Sequence, residues 1–127
     1  MAQVIEIANP AEFNSVFEQV SSEQDFVICY ITGGVDPATG KSWCGDCVTH
    51  KQAIEDKIIA KASGKVLLCL VPTRAEWSGK SDHPYKTHPI LKVKGVPTVL
   101  LLREGIVVAR AETDADFEND DLLHMIS

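Results

Sequence analysis

Two continuous apolar runs constrain the fold of this chain more than any other feature. Phe26 to Ile31 reads FVICYI, and Val66 to Val71 reads VLLCLV. Runs of this kind indicate strands that are buried on both faces, as in a parallel sheet. Between them, a stretch from Cys44 to about Lys61 has apolar residues at helical spacing. Two parallel strands joined by a helix form a βαβ unit, so the sequence predicts an α/β fold.

The rest of the chain extends this unit in both directions. The further predicted elements are a strand over Val4–Ile7, a helix from Asn9 to about Val20, strands over Thr98–Leu102 and Ile106–Ala109, and a last helix from Thr113 that buries Phe117, Leu123 and Ile126. The final two strands form a hairpin, which adds an antiparallel edge. The sequence therefore predicts a central mixed β-sheet with helices on both faces.

Two long polar segments follow the buried strands. Gly33 to Lys41 reads GGVDPATGK and is loop by composition. Pro72 to Lys86 is predicted as a second loop, and Thr87 to Leu91 is expected to add a short helical turn. Because the carboxyl ends of parallel strands share one edge of a sheet, we expect both loops beside Cys44.

Composition narrows the environment and the partners. The 127 residues are 45% hydrophobic and carry a net charge of -6 without a Lys/Arg cluster, which argues against nucleic acid and anionic membranes as partners. No apolar run approaches the ~20 residues of a membrane span, and Met1 to Gln19 does not resemble a signal peptide. We expect one domain over residues 1–127 in a cytoplasmic monomer.

The sequence WCGDC, from Trp43 to Cys47, stands at the head of the predicted central helix. Residues i and i+3 of a helix lie ~5–6 Å apart, within the Cα separation that a disulfide accepts. Cys44 is the expected nucleophile, because free N–H groups and the helix dipole stabilise an anion at this end. Cys47, one turn later, is expected to resolve a mixed disulfide, and Trp43 offers a flat apolar surface beside the sulfur.

Local spacing alone leaves metal binding open as an alternative. Covalent haem attachment needs His directly after the second cysteine, and this chain has Val48. A zinc site needs two more ligands, but Cys29 and Cys69 lie inside apolar strands, where a free cysteine is usually a small hydrophobe. A Cys-x-x-Cys pair near a βαβ unit is more typical of redox chemistry. We therefore expect a redox-active disulfide and no metal site.

A second motif supports this interpretation. Gly95-Val96-Pro97-Thr98 precedes the predicted hairpin, and together with WCGDC it resembles the thioredoxin superfamily. Residues 36–48 and 82–98 resemble the small cytosolic thioredoxin-related, or Clot-type thioredoxin-like, proteins, which carry WCPDC. Gly45 departs from that motif, where the subfamily has Pro. The resemblance implies a thioredoxin fold in which Pro97 is cis and lies against the sulfurs, with the Val96 backbone available to pair with substrate.

The resemblance also implies an activity. Such proteins are disulfide reductases that thioredoxin reductase recharges, that need no prosthetic cofactor, and that act on cystine-like compounds or selected proteins. Ordinary thioredoxins carry a buried Asp in the strand before the active site, and Cys29 is predicted at or near that position. Asp46 then becomes the candidate for proton transfer and for tuning Cys44. The alternative function is a non-catalytic adaptor that binds a partner through the cis-Pro97 groove.

Overall fold

The computed structural model describes residues 2–62 and 64–117. Within them, the strands are β1 (Ala2–Ile7), β2 (Phe26–Gly33), β3 (Val35–Asp36), β4 (Lys41–Ser42), β5 (Gly64–Val71), β6 (Thr98–Arg103) and β7 (Ile106–Ala111). The α-helices are α1 (Phe13–Glu23), α2 (Gly45–Ile54), α3 (Arg74–Trp77), α4 (Pro84–Thr87) and α5 (Asp114–Phe117). None of the helices in these two ranges has the length and apolar character needed to cross a bilayer.

The central sheet has five strands in the order β1-β5-β2-β6-β7. β5 pairs in parallel with β1 and with β2, whereas β6 runs antiparallel to both β2 and β7. The two apolar runs therefore occupy neighbouring central strands, where both faces of each strand are covered. The predicted mixed sheet is confirmed.

Apolar layers cover both faces of this sheet. On one face, Phe13, Phe17 and Val20 of α1 pack on a cluster of buried side chains that includes Leu67 and Leu100. The other face packs against α2 and the turn that follows it, through Ile54 and Ile58. Full burial of each such side chain stabilises the fold by about 1.5–3 kcal/mol. Helices thus lie on both sides of the sheet, and the packing of Ile54 and Ile58 holds α2 against one of these faces.

The helix predicted from Cys44 to Lys61 is interrupted rather than uniform. α2 ends at Ile54, and Glu55–Ile59 form a π-helical turn in which the N–H of Ala60 donates to the carbonyl of Glu55 at 2.7 Å. Near the end of the described chain, α5 starts close to the predicted Thr113, and Phe117 is 1% exposed. Leu123 and Ile126, predicted to be buried by the same helix, lie outside the described residues.

The two predicted loops carry more structure than their composition suggested. The prediction that Gly33 to Lys41 is a loop is wrong, because β3 and β4 form a small antiparallel hairpin there. Asp36 organises its tip: the side chain accepts from the N–H of Ala38 at 2.9 Å, and the carbonyl accepts from that of Gly40 at 2.8 Å. Gly40 adopts φ +70, a conformation that glycine reaches without strain.

The segment after β5 also folds into helical turns. α3 and α4 interrupt the predicted loop of Pro72 to Lys86. A turn does lie within the predicted stretch of Thr87 to Leu91, at residues 89–91, where the N–H of Lys92 donates to the His88 carbonyl at 3.0 Å. His83 caps α4 by accepting the N–H of Tyr85 at 3.1 Å. The Lys86 ammonium donates to the carbonyls of Trp77 and Lys80, both at 2.7 Å, which closes the segment on itself.

Candidate active site

Cys44 is the N-cap residue of α2. Its backbone is extended, and its sulfur accepts the N–H of Cys47 at 3.2 Å. The sulfur therefore lies against free amide groups at the positive end of the helix, where a thiolate is stabilised. Its thiol also points to the Val96 carbonyl oxygen, 3.6 Å away. The structure thus places Cys44 where the sequence pattern predicted it.

Cys47 occupies a different environment one helical turn later. Only 2% of the residue is exposed, and its sulfur accepts the N–H of Gly33 at 3.3 Å. Burial raises the pKa of Cys47 to about 12, and its hydrogen bond with Cys44 acts in the same direction. Both residues are thiols in this structure. The two cysteines are thus close together but chemically distinct.

Val96 and Pro97 lie beside the cysteine pair, although at least 49 positions in the sequence separate these two residues from Cys44 and Cys47. The Val96–Pro97 peptide bond is cis, and Pro97 is buried. The Thr98 hydroxyl donates to the Gly95 carbonyl at 2.6 Å, which closes the turn before β6. The two motifs that the sequence analysis singled out are therefore parts of one site.

Trp43 is held from two directions. Its indole N–H donates to the Val71 carbonyl at 2.8 Å, at the end of β5. Arg74 of α3 donates to the Trp43 carbonyl at 2.6 Å, and its guanidinium lies 5.6 Å from the centroid of the indole ring. Sequence reasoning missed Arg74, because nothing in the composition of its polar segment separates it from other exposed arginines.

Ser42 and Gly33 connect the small hairpin to the cysteines. The Ser42 hydroxyl donates to the Gly33 carbonyl at 2.9 Å and accepts the N–H of Cys44 at 3.2 Å. A Cβ atom on Gly33 would lie 2.8 Å from Ser42 Oγ and 2.9 Å from Cys44 Cβ. Gly33 is therefore required by close packing against the active-site turn.

Residues 7–127 match the family model described as thioredoxin domain-containing protein 17-like, thioredoxin domain. The chain belongs to this family. Its members by name include thioredoxin domain-containing protein 17 of Homo sapiens, 32% identical over 97 residues that cover 76% of this chain and 74% of that protein. Thioredoxin-like protein Clot of Oryza sativa subsp. japonica is 26% identical over 117 residues, 84% of each chain. The resemblance to these proteins is confirmed.

Two further matches define what is and is not shared. Acireductone dioxygenase of Leishmania infantum is 39% identical over 114 residues, which cover 85% of this chain but 32% of that protein. The chain thus spans a third or less of the length of the first Leishmania relatives. Among solved structures, thioredoxin from Trypanosoma brucei brucei has a TM-score of 0.61 at 16% identity and covers 98% of this chain and 90% of its own. That likeness establishes the thioredoxin fold.

Asp46 lies on the side of α2 that faces Val96 and Pro97. It is an exposed residue in the first turn of α2, and it lines a groove together with Val96, Pro97 and His50. Cys47, by contrast, lines a separate cavity on the other side of the active-site turn. The role of Asp46 in tuning Cys44 stays a prediction.

The placement of Cys29 at the position behind the active site is wrong. Successive residues of a strand point to opposite faces, and Cys29 belongs to the core cluster on the α1 face. The side chains on the α2 face are those of Tyr30 and Thr32, which line the cavity beside Cys47. The alternation of side chains along β2 could have shown this, because Cys29 and Ile31 point to one face of the sheet and Tyr30 and Thr32 to the face that α2 covers.

Cys29 and Cys69 are buried free cysteines inside β2 and β5, as expected for small hydrophobic residues. Burial raises the pKa of Cys69, and hydrogen bonding with Cys29 raises it further. In the described ranges, no group of three or more His, Cys, Asp or Glu side chains is placed to hold a metal ion.

Proposed function

We propose that this protein is a disulfide reductase that acts by thiol–disulfide exchange through Cys44 and Cys47. One observation supports the proposal above others: the Cys44 sulfur lies at the N-terminus of α2, 3.2 Å from the N–H of Cys47 and 3.6 Å from the Val96 carbonyl. A nucleophilic sulfur, a second thiol and a backbone acceptor for substrate therefore meet at one point.

The proposed cycle has two exchange steps. The Cys44 thiolate attacks one sulfur of a substrate disulfide, and the other substrate sulfur leaves as a thiolate. Cys47 then attacks Cys44, forms the Cys44–Cys47 disulfide and releases the second substrate sulfur. Because burial raises the pKa of Cys47 to about 12, it keeps its proton at neutral pH and does not compete with Cys44 for substrate.

The surroundings of Cys44 support a role in substrate binding for Trp43, Val96 and Pro97. Val96 is half-buried, and its carbonyl oxygen lies 3.6 Å from the Cys44 sulfur. An extended substrate segment can pair with such a backbone group. Trp43, held by Val71 and Arg74, presents a fixed apolar surface next to it.

The electron donor and the setting belong to the same proposal. The oxidised Cys44–Cys47 pair has to be reduced by a dithiol, and we propose thioredoxin reductase as the donor protein in the cytoplasm. No prosthetic group is required, because both electrons of each turnover are stored in the cysteine pair. Substrates are cystine-like compounds and selected proteins.

The name acireductone dioxygenase carries little weight for this chain. It belongs to relatives of which the chain covers 32% or less, so it describes proteins that are mostly unlike this one. The shared segment contains most of this chain, and the cysteine pair accounts for the reductase proposal without that name.

A coupled assay tests the proposed function. Oxidation of NADPH is followed with cystine as substrate and either thioredoxin reductase or glutathione with its reductase as the electron source. We expect turnover with thioredoxin reductase, and none with the Cys44→Ser variant. No turnover above background with either system would contradict the reductase proposal and favour an adaptor that binds partners through the Pro97 groove.

A further inference from the structure

In the proposed cycle, Cys47 has to lose its proton in a buried environment that disfavours the thiolate. Cys47 is 2% exposed, and burial raises its pKa to about 12. A buried anion is costly unless hydrogen bonds or charges compensate it. The groups that touch this sulfur therefore decide how fast the resolving step can proceed.

Two groups at the end of β2, the Gly33 amide and the Thr32 hydroxyl, act to lower the pKa of Cys47 against the effect of its burial. The backbone N–H of Gly33 lies 3.3 Å from the Cys47 sulfur. The Thr32 side chain lines the same cavity as Cys47, and Thr32 is 9% exposed, one of three buried polar residues in the part of the chain that the structure describes. Tyr30, two residues earlier and therefore on the same face of the sheet, lines this cavity as well.

These side chains line a cavity of about 540 Å³ beside Cys47. Residues of the sheet, the small hairpin and α2 contribute to its walls. The titratable and charged residues that line it are Glu6, Tyr30, Lys41, Cys47, Lys51 and Glu55. A cavity of this size admits solvent at a polar wall. Asp46 lines the groove on the other side and so does not reach this space.

We propose that the Thr32 hydroxyl, supported by Tyr30, stabilises the Cys47 thiolate in the resolving step and passes its proton to solvent in this cavity. The inference rests on the proposed function and deepens it, because it assigns residues to the second exchange step. Thr32 acts on the sulfur that reacts, and Tyr30 is a positioning residue behind it.

The step balances as follows for a mixed disulfide between Cys44 and substrate. The Cys47 thiol loses its proton to the Thr32 hydroxyl, which releases its own proton to solvent. The electron pair left on Cys47 forms the Cys47–Cys44 bond. The bond from Cys44 to the substrate sulfur breaks, and that sulfur leaves with the electron pair and takes a proton from solvent. The cysteine pair is oxidised by two electrons, and the substrate disulfide is reduced.

A chromogenic disulfide separates the two steps. When 5,5'-dithiobis(2-nitrobenzoate) reacts with the reduced protein, attack by Cys44 releases a first coloured thiolate, and resolution by Cys47 releases a second. We expect Thr32→Val, which keeps the shape and removes the hydroxyl, to leave the first phase within about twofold. The second phase should slow by about tenfold or more at neutral pH, the loss expected for a hydrogen bond to a charged group. Its pH midpoint should move upward.

Matched variants exclude a merely structural effect. Thr32→Ser should restore the second phase, and Tyr30→Phe should slow it less than Thr32→Val does. Thr87→Val removes a hydroxyl that donates to the His83 carbonyl far from this cavity, and both phases should stay unchanged. Thr32→Ala gives the same comparison if valine disturbs packing.

The outcomes distinguish this inference from the proposed function. An unchanged second phase in Thr32→Val, equal slowing of both phases, or no rescue by Thr32→Ser would overturn the role of Thr32. If the wild-type protein released only one coloured thiolate, the two-step cycle itself would fail. If the wild-type protein showed two phases and Thr32→Val showed the same two rates, the reductase proposal would stand and only the role of Thr32 would be rejected.

Discussion

At the scale of single residues, one helical turn creates two unlike thiols. Cys44 lies where α2 begins, and its sulfur accepts a backbone N–H. Cys47 lies under that turn, in contact with Gly33 at the end of β2. In the proposed cycle, this difference in environment, rather than in residue type, gives attack to Cys44 and resolution to Cys47.

The buried Cys47 thiol predicts a pH-dependent stability. Its folded pKa of about 12 lies above the ~8.5 of an unfolded cysteine, so above pH ~8.5 the unfolded chain loses this proton while the folded chain keeps it. The free energy of unfolding should therefore fall as pH rises from about 9 toward 12, by up to ~1.4 kcal/mol per pH unit for this thiol.

Urea unfolding of the reduced protein at several pH values between 7 and 10.5 measures this effect. Cys69 and Tyr30 also have raised pKa values, so the informative quantity is the difference between wild type and Cys47→Ser. In Cys47→Ser, the free energy of unfolding should fall less steeply with rising pH than it does in wild type. Parallel declines in the two proteins would mean that Cys47 titrates in the folded state as it does in the unfolded chain.

At the scale of elements, the small hairpin and α3 shape the approach to Cys44. Ser42, at the end of the hairpin, holds the Cys44 amide, and Arg74 of α3 holds the Trp43 carbonyl. Both contacts lie at the edge where the parallel strands end, which is where α/β sheets bind ligands. We expect these two elements to restrict access to the sulfur without altering its reactivity.

Shortening the hairpin tests this restriction. Residues 35–41 are replaced by Asn-Gly, while Gly33 and Ser42 are kept because they contact the cysteines directly. Reduction of insulin should increase severalfold, and reduction of cystine should change by less than about twofold. A control that substitutes Ser and Gly at positions 37–40 keeps the length and should behave like wild type. If all three proteins reduced insulin at the same rate, the hairpin would have no role in substrate selection.

The elements also show where sequence reasoning succeeds and where it stops. The apolar runs in β2 and β5 predicted buried parallel strands, because burial on both faces leaves no room for polar alternation. The hairpin of β3 and β4 was not predicted, since two-residue strands carry no periodic signal. The cap of α4 was missed because His83 is an unusual N-cap residue.

The same limit applies inside the site. Cys44, Cys47, Val96 and Pro97 were predicted from motifs, and the structure brings them together. Thr32 was overlooked because its importance depends on which face of β2 meets α2, a tertiary relationship that a run of apolar residues does not reveal. Cys29 was assigned to the wrong face for the same reason.

At the scale of the whole molecule, the thioredoxin fold brings segments that are distant in sequence to one edge of the sheet. β2 supplies Gly33 and Thr32, α2 supplies the cysteines, and the turn before β6 supplies Val96. The central claim is that this edge carries out a two-step exchange that begins at Cys44.

Mass spectrometry of the Cys47→Ser variant, after reaction with a disulfide substrate, tests that claim most directly. We predict one substrate thiol covalently attached to Cys44, stable until a reductant is added, because the sulfur that would resolve it has been removed. The Cys44→Ser variant should carry no adduct, and wild type should pass to a Cys44–Cys47 disulfide without a lasting one. An adduct on Cys47 in the Cys44→Ser variant, formed as fast as that on Cys44, would contradict the account.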